Sequence, residues 1–267
     1  MKPLQAAILP TRAGWFWIQQ GYALFRRQPV AMLFWSVLTS LFINAGALFP
    51  VIGQAILVTL TPTLTYLTLC AGKHLANDRR ILPGMWFLPL KTPGVLRGLL
   101  RLGWAWLVCS FVAAFVALLP FMDTLVDLID LQETPDLQAL AQAMWAPLML
   151  FGLIYLFLSA LFWHAPALVG WHALPLRRAL FYSMVACWRN KGAILLYIVT
   201  WVAAYLGLHE FIGLLAASGM SDSTLAWVIL PLDILITALL YCSFYPIYRS
   251  IFESNQGASI RDQASAS

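Results

Sequence analysis

One carboxylate stands inside an otherwise apolar run. Asp233 lies well within WVILPLDILITALLYCSFYP, and an acid held in hydrocarbon is expensive unless it is paired or hydrated. Its setting suits a proton or cation site for a small permease or proton-coupled transporter. His164 and Asn44 are the other polar candidates inside apolar runs. A plainer reading stands beside it: a neutral or water-reached carboxyl in the outer third of a span, with Pro231 locally opening the helix.

Other chemical groupings are sparse. His164 and His172 are eight residues apart, near one helical face, but no third ligand has matching spacing, and a metal centre needs three or four converging ligands. Asp123, Asp127, Asp130 and Glu133 recur at helical spacing. They could draw a divalent cation, or they could simply form an acidic loop whose Leu125, Val126, Leu128 and Ile129 rest on a membrane. The sequence contains no HExxH, GxSxG or P-loop pattern. No enzymatic activity, cofactor or metal is therefore expected. Cys70, Cys109, Cys187 and Cys242 form no CxxC pair and read as small apolar fillers.

What positions these residues is set by composition. Of 267 residues, 61% are hydrophobic and 10% charged, against about 25% charged in soluble domains. A soluble chain of this size could not hide so much apolar surface. The expectation is an all-α polytopic membrane protein. Its six transmembrane helices lie at about 30–48, 52–72, 102–120, 145–171, 193–217 and 225–248, arranged as three hairpins. The second span is Thr-rich and interrupted by Pro62, which favours contact with protein over lipid. A single membrane domain would cover 1–253, with a disordered polar tail over 254–267.

Each hairpin is preceded by a short amphipathic run expected to lie in the interface plane. In the first, Trp15, Ile18, Tyr22 and Phe25 share a helical face, and Pro29 suits the first turn of the next helix. In the second, Met85, Trp86, Phe87 and Leu88 dip into the interface. The third runs to Arg189 and Lys191. Thr134-Pro135-Asp136 reads as the start of a short helix over 136–144.

Charge gives an orientation. With the N-terminus inside, all sixteen Lys and Arg fall in the N-terminal segment, two connectors or the tail, while seven of the eleven acids fall outside or at the outer edge. This is the positive-inside pattern. Both termini are expected in the cytoplasm of a bacterium, with the protein in the inner membrane. The net charge of +5 then reflects basic loops against anionic lipid rather than nucleic acid, for which no basic stripe with stacking aromatics exists. Arg26, Arg27, Arg177, Arg178, Arg189 and Lys191 are the expected contacts to anionic headgroups.

Three stretches also carry a resemblance. GYALFRRQP (Gly21, Phe25 to Pro29), PALVGWH (Pro166 to Val169, then His172) and CWRN (Cys187, Arg189, Asn190) resemble the pattern FRRQP…PALVxxH…CxRN of a family of uncharacterised proteobacterial integral membrane proteins. The resemblance spans nearly the whole chain. It implies a multi-span inner-membrane fold and brings no activity, cofactor or catalytic residue. The acidic loop and Trp163-His164 depart from the pattern. The function expected is a non-enzymatic membrane-organising or accessory component contacting lipid, a membrane-protein partner or a second copy.

Overall fold

The computed structural model describes residues 5–130 and 137–253. Thr134–Asp136 and the 254–267 tail lie outside them. Among the described residues the chain is helical throughout. α1 (Ala13–Arg27), α2 (Pro29–Ala47), α3 (Ile52–Ala76), α4 (Val95–Leu118), α5 (Met122–Asp130) and α6 (Leu137–Ala143) are followed by α7 (Trp145–Phe162), α8 (Ala165–His172), α9 (Leu176–Arg189), α10 (Lys191–Ala217) and α11 (Asp222–Tyr248). Six segments are long and apolar enough to span a bilayer: Pro29–Ala47, Ile52–Ala76, Val95–Asp127, Gln138–His172, Lys191–Ala217 and Ser223–Glu253.

Several expected boundaries move. The third span begins at Val95, so Arg97 and Arg101 are helical. It does not stop at Pro120, because the proline occupies the start of a 3-10 turn (Leu119–Phe121), where its missing N–H is tolerated, and helix resumes as α5. The fourth span is not one helix but two, broken at Trp163–His164. α2 starts on Pro29 as expected. The middle interfacial segment is no helix of its own kind: Pro83–Met85 and Leu88–Lys91 form two 3-10 turns that turn one residue inward. Trp86 is buried, stacked on Trp35 with ring centroids 4.3 Å apart and planes 5° from parallel. Trp35 in turn donates its indole N–H to Thr68 Oγ1 at 2.9 Å.

The core sits mainly towards the basic end. There α1 crosses α10 and α11, and α3, α8 and α11 end side by side. α3 is the most enclosed span, with half of its apolar window buried against 11–22% for the other five. Most of its threonines serve α3 itself: Thr59, Thr61, Thr65 and Thr68 donate to the carbonyls four residues back. Close approach is bought with glycine. Any Cβ at Gly103 would collide with the Thr59 carbonyl, and at Gly14 with the Ala193 carbonyl, which fits small residues as the contact points of membrane helices.

α1 packs on the protein through small residues beside the stripe expected at the interface. Ala13, Gly14, Trp17, Gly21 and Leu24 are buried, whereas Trp15 and Tyr22 are exposed. Trp17 donates its indole N–H to Ser250 Oγ at 2.8 Å and meets Tyr197 edge-on. Ahead of α1, residues 5–9 form a strap. Buried Asn190 accepts from Leu9 N at 2.9 Å and donates to Ala7 O at 2.8 Å, while Ala7 N donates to Ile251 O. That carbonyl belongs to a π-helical turn, Arg249–Glu253, closing α11.

Candidate functional site

The break between α7 and α8 builds the most site-like feature. Pro166 has no N–H for the Phe162 carbonyl, and its ring disfavours helical continuation through the preceding residues. The amide of His164 would ordinarily bond the Ala160 carbonyl. Instead it donates to Ser183 Oγ at 3.0 Å, and that hydroxyl donates to Ala160 O at 2.9 Å. A serine from α9 is thus spliced into the helical hydrogen bond, one of the recognised causes of a kink.

At this kink His164 is 3% exposed. Its ring lies 5.3 Å from Phe252 and 6.4 Å from Tyr248, and its Nε2 has no hydrogen-bond partner among the described residues. His164 is among the residues that line a cavity of about 220 Å³ between α3, α4, α11 and the broken helix. Trp106, Phe162, Trp163, Leu69 and Phe244 supply the apolar wall, and Thr61, Thr65, Ser159 and His164 the polar points. Pro62 also lines it; as a proline inside α3 it deprives the Val58 carbonyl of its helical donor. Thr61, at the rim, is exposed.

The three residues proposed as a proton or cation site do not converge. Asp233 precedes Tyr248, against which His164 packs, by fifteen residues of α11, about 22 Å of helix at about 1.5 Å per residue. Asn44 is exposed and donates to Ser40 O of its own helix. Asp233 has different neighbours. It is half-buried and shares one face of α11 with Thr237 and Tyr241 at four-residue spacing. Ser36 of α2 donates to the adjacent Ile234 carbonyl at 2.9 Å, and Tyr205 of α10 lies 3.5 Å from Thr237. A polar stripe therefore runs between α2, α10 and α11, separate from the cavity.

The expected headgroup cations divide. Arg26, Arg177, Arg178, Arg189 and Lys191 are exposed. Arg26 lies over Tyr22 and Lys191 over Trp188. Arg27 is already engaged: its Nη1 donates to Leu75 O at 2.9 Å and to Asp78 at 2.6 Å, tying α1 to the end of α3. Beside it lies a network whose members are scattered in sequence. Lys73 Nζ lies 4.6 Å from the Trp171 ring and 3.8 Å from Glu253. Tyr245 donates to Glu253 at 3.0 Å, and His172 Nε2 is 2.6 Å from the Tyr248 hydroxyl. No group of three or more His, Cys, Asp or Glu able to hold a metal occurs among the described residues. Ser183 and Glu253 carried no sequence signal; Asn190 did, as the last residue of CWRN.

No family profile matches the chain, and no solved structure does. A curated protein of Burkholderia thailandensis, described as a probable inner membrane protein, is 33% identical over 267 aligned positions, covering 93% of this chain and 94% of the relative. Identity at that level across both chains, together with six apolar helices of spanning length, means that the chain belongs to the family of this probable inner membrane protein.

Proposed function

We propose that the protein is a non-enzymatic lipid-contacting component of the bacterial inner membrane, with its basic end and both termini in the cytoplasm. The observation that carries this reading is the pairing of exposed aromatic rings with exposed cations on α1 and again on α9. On α1, exposed Trp15, Phe16 and Tyr22 stand beside exposed Arg12 and Arg26. On α9, exposed Phe181 and Trp188 stand beside Arg177, Arg178 and Arg189. Aromatic rings favour the headgroup level, and cations at that level gain about 1 kcal/mol each against anionic lipid. Membrane organisation, through lipid or through a partner that recognises the same basic face, follows from such a surface.

Native mass spectrometry of the purified chain with phosphatidylglycerol and phosphatidylethanolamine tests it. Preferential retention of phosphatidylglycerol is expected, falling several-fold in the Arg177→Glu, Arg178→Glu, Arg189→Glu triple variant. Equal retention of both lipids, unchanged in the variant, would sink the reading. The orientation is tested by fusing a reporter after residue 130, which should report the outer side.

A second reading, a small permease or proton-coupled transporter, is favoured by the stripe of Asp233, Thr237 and Tyr241. An intramembrane acid facing other polar groups is where a coupling ion would sit. Asp233→Asn would then abolish proton-linked flux in proteoliposomes while leaving lipid retention unchanged.

A further inference from the structure

The cavity at the α7–α8 break asks for something the protein does not supply. The hydroxyls of Thr61 and Thr65 give their hydrogens to Leu57 O and Thr61 O, both at 2.9 Å. A hydroxyl that has spent its hydrogen can only accept, through its remaining lone pairs. His164, 3% exposed, adds a ring whose Nε2 lacks a partner among the described residues. A buried polar group without a partner is costly in a medium where water cannot reach it. Apart from Ser159, the remaining wall is aromatic and aliphatic, and no Lys, Arg, Asp or Glu lines it. The volume of about 220 Å³ is below the roughly 300–1,000 Å³ of sites for drug-sized ligands. It suits one small polar head and the first part of one chain, the rest leaving past exposed Thr61 into the bilayer.

We propose that this cavity binds a neutral lipid alcohol, a membrane lipid whose polar group is a free hydroxyl. The hydroxyl hydrogen goes to a threonine oxygen, and its oxygen is the acceptor within reach of the His164 ring. A charged lipid is disfavoured because the wall offers no counter-charge and desolvating an ion there is not repaid. A plain hydrocarbon leaves the threonine oxygens and His164 unpaired. The proposal rests on the lipid-contacting reading but concerns a cavity that none of the basic residues of α9 lines.

The test is photolabelling of the full chain in detergent with hexadecanol carrying a mid-chain diazirine, followed by peptide mass spectrometry. Label is expected in 61–69 and 159–166, displaced by hexadecanol at a concentration several-fold lower than by hexadecane or palmitate. Thr65→Val keeps shape and removes the acceptor. It should weaken alcohol displacement about three- to tenfold, the effect of one hydrogen bond, and leave hexadecane unchanged. His164→Phe should act in the same direction. Should that variant fail to fold, Ser159→Leu, which narrows the cavity from the half-buried side, should remove the label. Label spread evenly over all spans, or equal displacement by alcohol and alkane, would overturn the proposal. Loss of phosphatidylglycerol preference with the 61–69 label intact would overturn the basic-surface reading alone.

Discussion

Ser183 occupies the hydrogen bond that His164 and Ala160 would otherwise make with each other. A kink held this way depends on a side chain from a different helix. Ser183→Ala removes both halves of the bridge and leaves a buried amide and a part-buried carbonyl unpaired. Leaving a buried group unsatisfied costs about 1–3 kcal/mol. Thermal unfolding in detergent should shift down by several degrees, whereas Ser183→Thr should retain most of the stability. An unchanged midpoint in Ser183→Ala would mean that water or a backbone shift replaces the hydroxyl.

The stack of Trp86 on Trp35 fixes a connector that would otherwise lie loose on the membrane. Trp→Ala changes in packed cores cost about 3–5 kcal/mol. Trp86→Ala should lose stability of that order in denaturant titration, and Trp86→Phe, which retains a stacking ring, distinctly less. Equal losses in the two would show that the indole does more than stack.

Asn190 holds the strap through the backbone of Ala7 and Leu9. Asn190→Leu removes those bonds, and the segment ahead of Arg12 should detach. Limited trypsinolysis after the exposed Arg12 is the readout, with cleavage expected to be about tenfold faster, since proteolysis follows the open population. Unaltered cleavage would locate the hold elsewhere, in the Ala7–Ile251 bond.

Burial pushes the Cys187 thiol from its ordinary 9.0 up to about 12. The folded state therefore keeps a proton that the unfolded state loses between those values. By linkage, this contribution is fully present below about pH 9 and is lost as the pH rises towards about 12. Alkaline destabilisation in that window should be smaller in Cys187→Ala. At pH 8 the folded thiol should resist iodoacetamide, which requires the thiolate, and react only on denaturation.

Much of the architecture was legible because spans are written in hydropathy, and a bilayer leaves the backbone few alternatives. Breaks inside spans were not legible. Pro120 marks an end by its missing N–H, yet helix resumes beyond it, and the residue that stabilises the break at Trp163–His164 sits on another helix. The packing face of α1 is a different matter. Periodicity picks out Trp15, Ile18, Tyr22 and Phe25 as the stripe for the interface, and Trp15 and Tyr22 are exposed. At a membrane that face is satisfied by lipid, and contact is made instead where Gly14 and Gly21 let backbones approach Ala193 and Ser243. Asp233 and His164 were each conspicuous as polar residues in apolar runs. Their separation was invisible because composition does not record depth along a helix.

The docking of Trp17 on Ser250 spans 233 residues. At synthesis rates of roughly 5–20 residues per second, α1 exists for about 10–50 s before the last helix that completes its berth has been made. Asn190 and Tyr197 are made within that interval, ahead of Ser250, so the strap and the Trp17 face gain their partners one after another. The bond from Ala7 to Ile251 can close only after α11 has been made. A truncation before residue 250 would therefore leave the Trp17 indole without its partner.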